Sequence, residues 1–203
     1  MAEKQQTEVI IKEAAKKIFI RKGYAGARMQ DIADEAGINK ALLHYYYRSK
    51  DKLFDVIFTS VFNGLISQLR NGLKGNHDVF EKINIFVDTY VDMLGKNPYL
   101  PLFILNEISQ NPDRFIEKIK NMESFPEAAS MVGLMLEAID EGKIKKIQPF
   151  HLFMNIISMC IFPFIAKPMF LTIAKMEEET WQILMKDRKE EVKRFILNAI
   201  IID

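Results

Sequence analysis

Residues 29–48, MQDIADEAGINKALLHYYYR, constrain this chain more than any other stretch. Two short runs of helical periodicity lie on either side of a single glycine, Gly37, and leave only a tight turn between them. Helices joined so closely must cross at a steep angle. That crossing needs a small residue at the point of contact, a left-handed backbone position in the turn, and apolar anchors on both sides. Ala33 is the small residue, Gly37 the turn, and Ile32, Ala36, Ile38 and Leu43 the anchors. The spacing predicts a helix-turn-helix with helices over about 29–36 and 40–47. Asn39 stands where its side chain can cap the second of these by accepting a backbone N–H.

Helical periodicity continues along the rest of the chain, and strand alternation is nearly absent. Ile11, Ala14, Ala15, Ile18 and Phe19 share one face of a first helix over 7–22, which Gly23 stops. Ser49 is a candidate cap for a fourth helix reaching about residue 73, where Gly72, Gly75 and Asn76 mark a stop. Further helices are predicted over 78–94, over 97–110 with a short continuation from Asn111-Pro112, and over 125–140, closed by Gly142. The last two are predicted over 148–166 and 187–202, with a less regular stretch over 168–181 between them. The expected fold is all-α with about nine helices: a three-helix head over 1–54 and a larger bundle over 55–203, joined through the fourth helix.

Hydrophobic residues make up 49% of the chain and charged residues 27%, which excludes a wholly disordered chain and a polytopic membrane protein. Cys160 is the only cysteine, so an intrachain disulfide framework and a multi-cysteine zinc site are excluded. The N-terminal stretch mixes charges from Glu3 onward, unlike a signal peptide, and the expected location is the cytoplasm. Residues 156–174 approach the length of a bilayer span, but Lys167, Pro163 and Pro168 argue for a buried helix, with no membrane partner. The chain holds no glycine-rich phosphate loop, HExxH, nucleophile elbow or CxxC pair, and His44, His77 and His151 lie far apart. No catalytic residue, metal or cofactor is expected.

Residues 1–54 hold 11 Lys and Arg against 7 Asp and Glu, whereas residues 55–203 hold 17 against 20. A basic head on a mildly acidic body suits a polyanion. On the short third helix few residues are needed for burial, which leaves Lys40, Ala41, Leu42, His44, Tyr45 and Tyr46 outside. Its first residues would enter a major groove, and the polar and aromatic tips further along would touch phosphates. Lys50 and Arg28, at the starts of the fourth and second helices, add positive charge where helix dipoles already favour an anion. Gln30 and Asn39 complete the candidate DNA-facing set.

In combination these residues resemble the DNA-binding domain of the TetR family of transcriptional regulators. The resemblance covers residues 7–54: Ile11-x-x-Ala14-Ala15-x-x-Ile18-Phe19-x-x-x-Gly23-Tyr24, then Asp31-Ile32-Ala33-x-x-Ala36-Gly37-Ile38-x-Lys40, then Leu43-His44-Tyr45-Tyr46-Tyr47-x-Ser49-Lys50-x-x-Leu53. Four positions depart from the family's habit. His44 stands where a phosphate-touching tyrosine is usual, and Tyr46 where a histidine is frequent. Ala27 and Arg28 replace a Ser or Thr cap, and Leu42 replaces a frequent threonine, suiting a thymine methyl better than a polar base edge. The operator sequence is therefore left open.

The resemblance implies a homodimer on double-stranded DNA at a pseudo-palindromic operator, most often a repressor, released by a small molecule held in the body. The soft and aromatic side chains of the body suit an apolar or aromatic effector. Pocket candidates are Phe103, Met122, Met131, Met135 and Met159, with Tyr90, Asn106, Glu107 and Asn155 as polar residues inside apolar stretches. Two apolar stripes are candidates for the dimer interface: Met154, Ser158, Phe162 and Ile165 on one helix, and Val192, Phe195, Ile196, Ala199 and Ile200 on the last. Either stripe could instead bury within its own subunit. The rival functions are a helical adaptor or membrane-associated protein without specific DNA binding, and an enzyme whose residues meet only in space.

Overall fold

The structure, a computed structural model, describes residues 2–120 and 126–202. Among the described residues the fold is all-helical, with ten helices. These are α1 (Ala2–Gly26), α2 (Met29–Glu35), α3 (Lys40–Tyr46), α4 (Lys50–Gly72), α5 (Val79–Lys96), α6 (Leu100–Gln110), α7 (Pro112–Lys120), α8 (Pro126–Asp140), α9 (Pro149–Ile173) and α10 (Glu178–Ile200). The continuation predicted after Asn111-Pro112 is a separate helix, α7, which makes ten where nine were expected.

Two compact units form. The first comprises Met1–Gly64 and Leu102–Asn121, the second Leu65–Pro101 and Met122–Asp203. This division differs from the 1–54 and 55–203 expected. α4 runs unbroken past residue 54, and its first half carries Phe54, Phe58 and Phe62 into the same aromatic packing as Phe103 of α6 and Phe115 of α7. A break at residue 54 would cut through that packing.

In the first unit Ile11, Ala15, Ile18, Phe19, Ile32, Ala33 and Leu43 are buried, the head core that the periodicity predicts. At Gly23 the backbone has φ 66° and ψ 176°, a region open to glycine alone. The chain kinks there instead of ending, and α1 continues for one more turn. Gly37, with φ 66°, closes α2: its N–H donates to the Asp34 carbonyl at 3.1 Å, and the Ile38 N–H reaches back to Ala33 at 3.0 Å. Rings then stack along α4. Phe19 meets Phe54 edge-on at 5.0 Å, Phe54 and Phe58 each lie 5.6 Å from Phe103, and Phe62 meets Phe115 at 6.0 Å.

In the second unit α5, α8, α9 and α10 enclose an aliphatic and sulfur-rich core that includes Ile83, Val87, Met131, Met135, Leu152, Ile156 and Cys160. Val192, Ile196 and Ile200 of α10 are also buried there, one turn apart. They were expected at a dimer interface; instead they face the core of their own unit, because an apolar stripe satisfies either demand equally. α9 corrects a second expectation. It extends to Ile173 through Pro163 and Pro168, and α10 begins at Glu178, so most of the stretch expected to be irregular is helical.

Proline lacks an N–H, so Pro163 leaves the Met159 carbonyl without its helical donor. The Arg188 guanidinium of α10 supplies the bond twice, from Nη2 at 2.8 Å and Nε at 3.2 Å. The turn between the helices is held by Phe170 stacked on Trp181 at 5.9 Å and by Lys167 paired with Glu178 at 2.6 Å. Among the described residues α9 is the one helix long and apolar enough to cross a membrane. Leu152, Ile156, Cys160 and Pro163 of α9 are buried against the neighbouring helices.

Candidate nucleic-acid interface

α3 is seven residues long and buries one of them, Leu43. Its start is fixed as predicted: the Asn39 side chain accepts the Leu42 N–H at 2.8 Å. Lys40, Ala41, Leu42, His44 and Tyr45 are exposed, Tyr45 by 70% of its surface. Tyr46 is half-buried; its hydroxyl donates to the Lys4 carbonyl at 3.3 Å, and its ring meets Tyr45 edge-on at 5.6 Å. The Lys4 ammonium lies 5.7 Å from the Tyr45 ring centre, which brings the start of α1 beside the end of α3. Tyr47 turns inward and donates to Glu8 at 3.3 Å; burial first, then the Glu8 charge, push its phenol up to about 12.

The flanking candidates are less free. Arg28 is exposed and its side chain makes no cap bond, while its N–H donates to the Asp31 carboxylate at 3.2 Å. Gln30 is exposed and donates along its own helix to Asp34 at 2.7 Å. Lys50 differs most from its expected setting. Its ammonium donates to the carbonyls of Tyr24 at 2.9 Å and Ala27 at 3.1 Å, and sits 4.3 Å from the Tyr24 ring centre. Two of its three N–H bonds therefore close the end of α1, and one remains.

The pocket candidates divide between the two units. Phe103, Asn106 and Glu107 lie in the first, around a cavity of about 50 Å³ that Gly23, Tyr24 and Phe54 also line. Tyr90, Met131, Met135 and Met159 lie in or against the core of the second, and burial pushes the Tyr90 phenol upward. Asn155 is exposed on α9 rather than turned inward, and Met122 lies outside the described residues. Of the dimer candidates, Met154, Ser158, Phe162, Phe195 and Ala199 are exposed and Ile165 is half-buried. Phe195 shows 66% of its surface, and Ile173, Ile183 and Leu184, which sequence reasoning missed, extend the apolar exposure on α9 and α10.

Sequence reasoning also missed a charged cluster in the first unit. Arg114 of α7 hydrogen-bonds Asp55 of α4, and Lys118 pairs with the same Asp55 oxygen at 2.6 Å. Tyr24 donates to Asp51, one turn before Asp55, at 2.6 Å. Burial alone would raise the Asp55 carboxyl, but the hydrogen bonds from Lys118 and Arg114 together hold it below the usual carboxylate range. The signal was present as two matched spacings: acids four apart at 51 and 55, and cations four apart at 114 and 118.

A basic head whose helix-turn-helix leaves its second helix almost wholly uncovered, joined in one chain to a second helical unit, has the form of a DNA-binding regulator of transcription. Residues 11–57 match the family described as bacterial regulatory proteins, tetR family. The match spans 47 residues, about a quarter of the chain, and falls on the helix-turn-helix head. It is 26% identical over 161 residues to the HTH-type transcriptional repressor NicS of Pseudomonas putida, covering 75% of this chain and 73% of that protein. It is 30% identical over 81 residues to the HTH-type transcriptional activator FasR of Mycolicibacterium smegmatis, which spans 40% of this chain and only 37% of FasR. The fold is shared with the Bacillus subtilis transcriptional regulator FadR, solved in complex with stearoyl-CoA. That likeness has a TM-score of 0.67 at 16% identity and covers 95% of this chain and 98% of the other.

Proposed function

We propose that this regulator is ligand-responsive: a homodimeric repressor that leaves a pseudo-palindromic operator when a small apolar or aromatic molecule occupies its body, residues 55–203. The observation that carries the DNA half of this reading is α3, which buries Leu43 and leaves Lys40, Ala41, Leu42, His44 and Tyr45 uncovered. The α3 N-terminus enters the major groove, where Leu42 offers an apolar contact to a thymine methyl and Lys40 a donor to guanine. Arg28, Gln30, Asn39, Tyr45, Tyr46 and the remaining N–H of Lys50 face the phosphate backbone.

Repression is supported by NicS, and an apolar effector by the stearoyl-CoA held in FadR. The exposed apolar side chains of α9 and α10 support a twofold pairing of these helices. A dimer places two copies of α3 about 34 Å apart, one turn of the duplex. An effector acts through its unequal affinity for the DNA-bound and free shapes.

The test is selection of bound duplexes from a random library, repeated with stearoyl-CoA present. Enrichment of an inverted repeat, reduced by the acyl-CoA, is the expected result. A library returned without any enriched motif would overturn specific DNA binding. Enrichment that ignores stearoyl-CoA and a panel of aromatic acids would overturn the apolar effector.

A further inference from the structure

One turn apart on α7, Arg114 and Lys118 stand between two carboxylates that compete for them. On one side is Asp55 of α4, hydrogen-bonded to Arg114 and ion-paired with Lys118, and Asp51, 3.6 Å from Arg114 Nη1. On the other is Glu107 of α6, whose Oε1 lies 3.7 Å from Arg114 Nε and 3.9 Å from Lys118 Nζ. Both distances are beyond hydrogen bonding. Glu107 is only 2% exposed; its Oε1 has no hydrogen-bond partner, and its Oε2 accepts one bond, from Asn111 at 3.2 Å. Lys118 Nζ is itself buried, 4.7 Å from the ring centre of Phe58 and 5.2 Å from that of Phe54.

This allocation runs against desolvation. A buried carboxylate loses more by lacking a partner than a half-exposed one does. Yet both cations sit closer to Asp55, whose side chain is 47% exposed, than to Glu107. A displacement of about 1 Å would bring Arg114 Nε to hydrogen-bond distance of Glu107 and lengthen the contact that Nη2 makes with Asp55. Two arrangements of the same groups therefore lie close together in space, and each satisfies one carboxylate at the other's cost.

We propose that Arg114 and Lys118 are a two-position latch, exchanging between Asp55 and Glu107, and that its position sets the presentation of the head to DNA. The route to the head is continuous. Asp55 and Asp51 occupy successive turns of α4, the helix that follows α3. Asp51 accepts from Tyr24 of α1, and Lys50 ties the Tyr24 and Ala27 carbonyls to the first turn of α4. In the Asp55 position α4 is clamped to α7; in the Glu107 position α7 is drawn to α6 and α4 is released. Arg114 and Lys118 are positioning residues and touch no DNA. The link to the head rests on the DNA-binding reading above; the competition for the cations does not.

The test uses the full chain with the near-isosteric changes Asp55→Asn, Glu107→Gln and Arg114→Gln, made singly, in every pair and all three together. Stability is measured by urea unfolding and DNA affinity on the selected operator. Competition predicts that the Arg114–Glu107 coupling rises at least twofold, as an equilibrium factor, once Asp55 is neutralised, and that the Arg114–Asp55 coupling rises once Glu107 is neutralised. Couplings that ignore the third residue, as a fixed structural cluster gives, would overturn the latch. The single variants Asp55→Asn and Glu107→Gln should shift operator affinity in opposite directions by about fivefold. Competing couplings with both affinities unchanged would overturn its control of the head. A wild-type chain that binds no duplex would defeat the DNA-binding reading, and the couplings would still judge the latch. Should Glu107→Gln fail to fold, Asp55→Asn alone decides through the ¹³C carboxyl resonance of Glu107: movement supports the exchange, and an unmoved signal overturns it.

Discussion

The two units solve the same problem with different materials. The first is tied by stacked rings and by charges shared among α1, α4, α6 and α7, so its interior is partly polar. The second has a largely aliphatic and sulfur core edged by the rings of Phe86, Tyr90 and Phe153, with its ion pairs between α5 and α10 and Arg188 bridging to a carbonyl. Polar interiors fix geometry, because each bond has one best arrangement, and a shared cation gives two. Apolar interiors tolerate repacking as long as volume is kept. The first unit, which carries α3, is thus the one whose helix angles rest on shared charges.

The sharpest way to break that contrast is at its ring column. Phe54 touches Phe19, Tyr24, Phe58 and Phe103, so Phe54→Ala should cost about 3–5 kcal/mol in urea unfolding. A loss under 1 kcal/mol would mean the column packs loosely. In the second unit, Arg188→Leu should cost about 1–3 kcal/mol by orphaning the Met159 carbonyl, and a second change of Pro163→Ala should recover part of it. No recovery would show that Arg188 acts through some other contact.

Smaller effects distinguish the polar parts of the first unit. Lys50→Ala should weaken binding on every DNA sequence and lower the slope of log affinity against log salt by about one. An unchanged slope would assign Lys50 wholly to the carbonyls of α1. The last effect is on acid stability. Because the folded state depresses the Asp55 carboxyl, its contribution is complete above the ordinary aspartate value of about 4 and is lost as pH falls through the lower folded value. Asp55→Asn should therefore lower Tm more at pH 6 than at pH 3. An equal loss at both would show that the ionised carboxylate adds nothing.

What was legible in the sequence was what local spacing encodes. Ala33, Gly37 and Asn39 fixed the helix-turn-helix because a turn, a close approach and a cap are each decided within four residues. α9 was not legible across its prolines: they read as breaks, and the donor that mends Pro163 stands on another helix, at Arg188. The stripe at Val192, Ile196 and Ile200 was seen correctly as apolar, yet periodicity gives a face and not the surface it meets. Asp55 and Arg114 are 59 residues apart, so matched spacings hinted at their cluster but only the packing of α4 on α7 could reveal it.

The bond from Arg188 to the Met159 carbonyl also constrains how this chain can vary. Removing the arginine while Pro163 stays strands a carbonyl, whereas replacing the proline first gives the helix back its own donor and leaves the guanidinium dispensable. Descendants of this sequence should therefore abandon the pair in one order, proline before arginine.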